Sequence, residues 1–298
     1  MGRLPSKTRG IVMSRLIVVL MLGSLAAASP GCSKPQEPAA TAKPVSPARP
    51  MKPSDYKLSF RYHELEESGT LTGDLIFREG RVYLFVSGSD EVVLIDPAIE
   101  IVRLLDIRRR ATSELKFATI NAAVERYRKD LRDEIATSEA RNTRADRLEA
   151  AMDRDLLDPH FKAEANPDGR RIRLANPTVE VDAAGEPEED GAKRQRIAEA
   201  LSLMIKIRAI RFPDAIPPFS QLDALSELIS ARTLRPVELS FLFRLTGPPE
   251  KYVWSYTFVP TLTVREWEAI GRIDALLPQA ARMSFERYER LIDRVRLH

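Results

Sequence analysis

The stretch that decides the fold is residues 68–106, SGTLTGDLIFREGRVYLFVSGSDEVVLIDPAIEIVRLLD. It divides into four short runs rich in β-branched and aromatic residues. Three turn sequences separate the runs, and in them glycine supplies positive φ or proline pre-sets the backbone: Glu79-Gly80, Gly88-Ser89-Asp90 and Asp96-Pro97-Ala98. This spacing predicts an antiparallel meander over residues 70–78, 81–87, 91–95 and 100–106.

The middle runs of the meander are apolar on both faces. In residues 81–87, three aliphatic side chains alternate with Tyr83 and Phe85, and residues 92–95 are Val, Val, Leu and Ile. A strand that is apolar on both sides must be covered on both sides. We therefore predict that helices, or a curl of the sheet itself, lie over each face.

A second β signal spans residues 237–259. Apolar and polar side chains alternate up to a Gly-Pro-Pro loop, and the returning strand then carries four aromatic side chains on one face: Tyr252, Trp254, Tyr256 and Phe258. These four have two interpretations: they line a site that binds an apolar ligand, or they are ordinary core. The apolar face of residues 237–243, directly across the loop, favours the core.

Most of the remaining sequence has helical periodicity. The predicted helix starts rest on capping residues: Thr112 or Ser113 for the first helix, the acidic run 186–190 ahead of residues 192–211, Ser220 with Asp223, Thr263 with Glu266, and Ser284 for the last. Together these patterns predict one α+β domain over residues 54–298. Its curled antiparallel sheet, built from the meander and the aromatic hairpin, is covered by amphipathic helices.

The first 31 residues have the pattern of a signal peptide. Four basic residues and no acid accompany an apolar run over residues 16–28, which is shorter than the ~20 residues needed to span a bilayer. Two cleavage sites compete. One follows Ala28; the other precedes Cys32 in Ser29-Pro30-Gly31-Cys32, which resembles a bacterial lipobox although Ser29 stands where leucine is usual.

Cys32 is the single cysteine of the chain. Acylation explains an unpaired thiol in an exported protein, and the alternative is an incidental thiol. Residues 33–53 follow with six prolines and almost no large apolar side chain, so they favour an extended tether over a packed core. We expect a lipid on Cys32 to hold the domain at the bacterial cell envelope, and a soluble secreted protein is the alternative.

The charge balance argues against a nucleic-acid partner. The net charge of +3 includes four basic residues within residues 1–31, and their removal leaves −1. A near-neutral mature chain lacks the basic patch that nucleic acid or an anionic membrane surface would require.

Sequence signatures of catalysis are absent. The chain contains no nucleophile-elbow, P-loop, dinucleotide-binding or zinc-protease motif, and its three histidines have no metal spacing. We predict no catalytic residue, no metal site and no cofactor. The predicted function is an envelope lipoprotein that binds an apolar ligand or a protein partner. The alternatives are an exported hydrolase with paired carboxylates and a purely structural envelope component.

Four segments carry a resemblance to known sequences: GDLIFREGRVYLF at 73–85, EVVLIDP at 91–97, LLDPHF at 156–161 and RPVELSFLFRL at 235–245. They are similar to a group of uncharacterised exported lipoproteins from planctomycete-type bacteria, which implies export and no particular activity. More distantly, Gly69-x-Leu71-x-Gly73-x-Leu75 before a meander resembles the layout of LolA-like lipoprotein carriers. Those are curled sheets closed by helices around an acyl-binding cavity, a likeness of fold alone.

Overall fold

The computed structural model describes residues 55–64, 70–212, 216–245 and 247–296, with the backbone alone at 64 and 293–296. The predicted signal peptide, Cys32 and the Pro-rich tether lie outside these residues. Within them, no helix has the length and apolar character that crossing a membrane requires.

Twelve strands form one open, curled and mostly antiparallel sheet, which confirms the predicted α+β class. The order across the sheet is β12-β6-β5-β4-β3-β2-β1-β11-β10-β9-β8-β7, and β12 runs parallel to β6. In chain order the strands are β1 (Tyr56–Glu64), β2 (Thr70–Arg78), β3 (Arg81–Val86), β4 (Glu91–Asp96), β5 (Ile101–Asp106), β6 (Ala111–Lys116), β7 (Lys162–Ala165), β8 (Arg171–Ala175), β9 (Val179–Pro187), β10 (Leu234–Phe243), β11 (Glu250–Val259) and β12 (Ala281–Met283).

Strand β1 joins the two β regions that the sequence predicts. It pairs antiparallel with β2 on one side and with β11 on the other, so the meander and the aromatic hairpin belong to the same sheet. The meander itself forms as predicted, with β2 to β5 paired in chain order.

Six helices accompany the sheet in the described part of the chain. They are α1 (Phe117–Arg141), α2 (Arg144–Leu157), α3 (Gly191–Arg211), α4 (Phe219–Ser226), α5 (Val264–Leu276) and α6 (Phe285–Arg296). A π-helical turn, Glu227–Ala231, extends α4. Between α1 and α2, Asn142 adopts left-handed backbone geometry and the Thr143 side chain caps the next helix, so the chain folds into a helical hairpin.

Each face of the meander packs under helices, as its two-sided apolar pattern predicts. The face that carries Leu75 and Leu84, here called the inner face, shares its core with α3, α4 and α6. The opposite, outer face carries Tyr83 and Leu94 and packs against α5 through Ile270 and Ile273. Because both faces are covered, the middle strands are buried on both sides.

Two predicted helix starts are wrong. Thr112 and Ser113 lie in β6 and are buried, since residues 111–116 complete the sheet beside β5 and the Thr112 hydroxyl donates to the Leu104 carbonyl at 3.0 Å. The first helix begins only at Phe117. Ser220 lies inside α4, which begins at Phe219 after Pro218 without a side-chain cap, because two prolines already fix the chain entry.

Other predicted helix starts are confirmed. Thr263 and Glu266 form a complete capping box at the start of α5. Asp190, the last residue of the acidic run, accepts a hydrogen bond from the Lys193 amide and caps α3. The acidic run therefore serves the helix start.

Gly73 in β2 is a position where a side chain does not fit. It lies opposite Phe60 of β1 in the sheet register. A Cβ at Gly73 would lie 2.4 Å from the Phe85 carbonyl oxygen and 2.5 Å from the Phe60 ring. The absence of a side chain leaves room for the Phe60 ring beside Gly73, which is how aromatic residues compensate glycine in sheets.

We expect Gly73→Ala to destabilise the domain by about 1–3 kcal/mol, because the methyl group overpacks against backbone that is fixed on two sides. The matched control is Gly271→Ala on the exposed side of α5, where a Cβ meets nothing within 4 Å. There alanine should stabilise the helix by about 0.5–1 kcal/mol. Urea unfolding midpoints check both, and equal shifts for the two variants would contradict the close approach at Gly73.

Candidate functional site

A row of aromatic rings crosses the inner face at the centre of the sheet. It forms because residues of the same parity on β1 and β11 face the same side, with Tyr62 opposite Trp254 and Phe60 opposite Tyr256. Strands β2 and β10 add further rings on the two sides. The aromatic row consists of Tyr56, Phe60, Tyr62, Phe77, Phe241, Phe243, Tyr252, Trp254, Tyr256 and Phe258.

The structure brings together all four aromatic residues that the sequence offers as candidate ligand contacts. Tyr252 and Tyr256 are buried, whereas Trp254 and Phe258 are partly exposed. The rings pack on their neighbours. The centre of the Trp254 ring lies 4.5 Å from that of Tyr62, and the centre of the Tyr252 ring lies 6.2 Å from it. These ring contacts fit the core interpretation that the sequence favours, and ligand contact by Tyr252, Trp254, Tyr256 and Phe258 stays a prediction.

Tyr56 closes the row at the end where β1 begins. Its ring stacks on Phe77 at 4.5 Å and lies 5.5 Å from Phe258, and its side chain is only 3% exposed. Its hydroxyl is buried and has no hydrogen-bond partner among the described residues. Burial raises the pKa of this phenol well above its ordinary value, so it remains a neutral donor. An unpaired buried hydroxyl costs about 1–3 kcal/mol and calls for an explanation.

Two cationic side chains cover the same end of the row. The Arg235 guanidinium lies 4.2 Å from the Phe258 ring centre, and the Lys193 ammonium lies 5.1 Å from it. Lys193 comes from the first turn of α3, while Arg235 comes from the start of β10. Both cations also contact Glu188, at 3.2 Å for Lys193 and 3.7 Å for Arg235. The Tyr56 end is therefore polar at its rim and aromatic beneath.

Sequence reasoning missed the role of Tyr56 and its cationic neighbours. None of these three residues was singled out from the sequence. The available signal was the alternation of Tyr56, Phe60 and Tyr62, which matches the stripe on β11. Lys193 and Arg235 carry no sequence signal, because only the packing of α3 and β10 brings them over Phe258.

The carboxylates of Glu91 and Glu289 lie in a buried cluster with Arg211 and Tyr288. Arg211 at the end of α3 contacts both carboxylate oxygens of Glu91, at 2.6 and 3.2 Å. The same guanidinium lies 3.1 Å from Glu289, and the Tyr288 hydroxyl donates to Glu91 at 2.9 Å. The Arg211 side chain is 7% exposed and Tyr288 is fully buried.

This ion-pair cluster has the chemistry of a structural contact. Burial alone would lower the pKa of Arg211, but Glu91 and Glu289 together raise it above its ordinary value, so the guanidinium stays charged. A general acid or base needs a carboxylate free to exchange a proton with substrate. Here the Arg211 guanidinium and the Tyr288 hydroxyl both donate hydrogen bonds to Glu91, and the cluster holds α3 and α6 against β4.

A histidine and a carboxylate meet at the surface. The His160 Nε2 atom lies 3.1 Å from an Asp158 carboxylate oxygen, and both side chains are mostly exposed. Within the described ranges, no group of three or more His, Cys, Asp or Glu residues is arranged to hold a metal ion.

No protein-family model and no curated protein sequence matches this chain.

Proposed function

We propose that the protein is an exported, non-catalytic lipoprotein, anchored to the cell envelope through Cys32, whose domain binds an apolar ligand along the aromatic row. The observation that carries the proposal is the buried Tyr56 hydroxyl without a partner at the end of that row. A ligand with an oxygen acceptor at one end would satisfy this hydroxyl, and its apolar part would lie along the rings.

The dimensions of the row favour an acyl chain as the apolar part. From Tyr56 to Tyr62 the strand advances about 20 Å, at roughly 3.3 Å per residue. The partly exposed rings of Trp254 and Phe258 supply apolar contact area beside this path. Lys193 and Arg235 stand over Phe258 and contact Glu188, so an oxygen-rich head group would meet a polar, ion-paired rim there. Binding requires the helices above the row to separate slightly from the sheet.

The two tryptophans of the chain allow a direct test, because they lie on opposite faces. Trp254 belongs to the aromatic row, whereas Trp267 packs under the Arg78 guanidinium at 4.0 Å on the outer face. A fatty acid brominated in mid-chain quenches tryptophan fluorescence on contact. We expect saturable quenching in Trp267→Phe, which retains Trp254, and none in Trp254→Phe.

Two outcomes would contradict ligand binding at the row. Absence of quenching in both variants would favour a protein partner or a purely structural role. Equal quenching in both would indicate that the fatty acid adsorbs to the surface without selecting the inner face. Each variant keeps an aromatic ring at the changed position, so we expect both to remain folded.

The anchor has its own prediction. We expect Cys32→Ser to lose membrane association and to keep its melting temperature, because the sequence of the Pro-rich tether carries almost no large apolar side chain that a core could use. Membrane fractionation of the producing cells and thermal unfolding of the purified protein check the two parts. A variant that still sediments with membranes would contradict anchoring through Cys32.

A further inference from the structure

Among the described residues, one edge of the sheet has no strand paired along it. Strand β7 is the last strand in the sheet order, and all four of its residues are exposed. Its sequence, Lys162-Ala163-Glu164-Ala165, places the two charges on one face and the two alanines on the other. Neither Lys162 nor Glu164 forms an ion pair with another described residue, and the neighbouring Arg173 already binds Glu180 at 2.9 Å.

The hydrogen-bond register shows which backbone groups of β7 face outward. The Asn166 amide donates to the Arg171 carbonyl at 3.0 Å, one step beyond the last ladder pair. Antiparallel pairs alternate, so Glu164 and Lys162 direct their amide and carbonyl groups toward β8. Ala163 and Ala165 therefore direct theirs away from the sheet, where they are free to pair with another strand.

The charges of β7 are self-complementary in one register. Suppose that a second copy pairs antiparallel about Ala163. Ala163 of one copy then lies opposite Ala163 of the other, and Lys162 of each copy lies opposite Glu164 of the other. These charge pairs fall at non-hydrogen-bonded positions, where opposed Cα atoms approach to about 4.5 Å. Opposite charges there are stabilising and like charges destabilising.

Neighbouring registers are disfavoured. Pairing about Glu164 or about Lys162 sets like charges against each other. Pairing about Ala165 brings Pro167, which has no amide hydrogen, to a position that must donate. The charge pattern thus selects the register centred on Ala163, in which the alanine face continues the inner face of β8 beyond Ile172 and Leu174.

We propose that β7 is a docking edge for a second copy of this chain, paired antiparallel about Ala163 so that the two sheets become continuous across a two-fold axis. Such an interface is isologous, since each β7 presents the same residues to the other. The pairing supplies main-chain hydrogen bonds from Ala163 and Ala165, while the Lys162–Glu164 pairs set the register.

Disulfide trapping tests the register directly. In the full chain with Cys32→Ser, the native cysteine is removed. Ala163→Cys then places two thiols across the axis with Cα atoms about 5.5 Å apart, within disulfide reach. The matched control is Ala165→Cys, whose two thiols would lie four residues apart along the strands, about 13 Å. We expect Ala163→Cys to form the covalent dimer at least about tenfold faster.

Charge reversal supplies the second arm. Lys162→Glu sets glutamate against Glu164 on both sides of the axis, and we expect it to slow trapping by about tenfold. Adding Glu164→Lys exchanges the two charges and should restore the original rate. Equal trapping rates at positions 163 and 165, or a double variant as slow as Lys162→Glu alone, would overturn the proposal. Residues 162–165 are all exposed, so the variants at these positions should melt alike.

Discussion

Leu84→Asp is expected to prevent the domain from folding. Leu84 lies in β3 between Leu75 and Val93, is 8% exposed and belongs to the core of the inner face. A carboxylate there is buried without a partner, at a cost of several kcal/mol. This rivals the whole stability of a domain, which is about 5–15 kcal/mol.

Leu148→Asp is the matched control for this substitution. Leu148 lies on α2 and is 56% exposed, so the same chemical change there should alter stability by only about 0.5 kcal/mol or less. Soluble yield and cooperative thermal unfolding measure both variants. A soluble Leu84→Asp protein that melts cooperatively near the wild-type temperature would contradict the burial of Leu84 under the helices of the inner face.

The second large effect is expected at Arg211. Arg211→Met leaves the carboxylates of Glu91 and Glu289 without the guanidinium that both contact. Their side chains are 17% and 18% exposed. Removing one partner of a buried ion pair typically costs about 3–5 kcal/mol, since the remaining charge is left uncompensated. We expect a loss of stability of that size, measured by urea unfolding.

A comparable ion pair at the surface provides the control. Arg232 contacts Glu227 at 3.2 Å, and both side chains are about one-third exposed. Arg232→Met should therefore cost about 0–1 kcal/mol. Adding Glu91→Gln to Arg211→Met should recover part of the loss, because it removes one of the unpaired charges. Equal losses for Arg211→Met and Arg232→Met would show that the cluster does not stabilise the fold.

The strands were predictable because their signal is local. The two-sided apolar runs of β3 and β4 and the alternation along β11 depend only on which neighbours in sequence are apolar. They indicated the meander, its covered faces and the hairpin. The wrong prediction of a helix start at Thr112 or Ser113 has the same origin. A hydroxyl residue before a helical period looks like a cap, but it serves equally well in a strand when a neighbouring edge such as β5 is available.

The two polar features were not predictable, because they depend on contacts between distant residues. Arg211 is 120 positions from Glu91 and 78 from Glu289. In sequence, each of these charges resembles an ordinary solvated side chain on a helix or at a strand end. The Tyr56 hydroxyl is unpaired because no described neighbour supplies a hydrogen-bond partner, and which residues are its neighbours is decided only when the chain folds.

Native mass spectrometry of the protein released from its own cell envelope tests the central proposal most directly. The proposal predicts a mature chain that begins at Cys32, carries covalent acyl groups and retains an apolar ligand that dissociates on collisional activation. An unmodified chain that begins at Ser29, with a free thiol at Cys32 and no retained ligand, would contradict it.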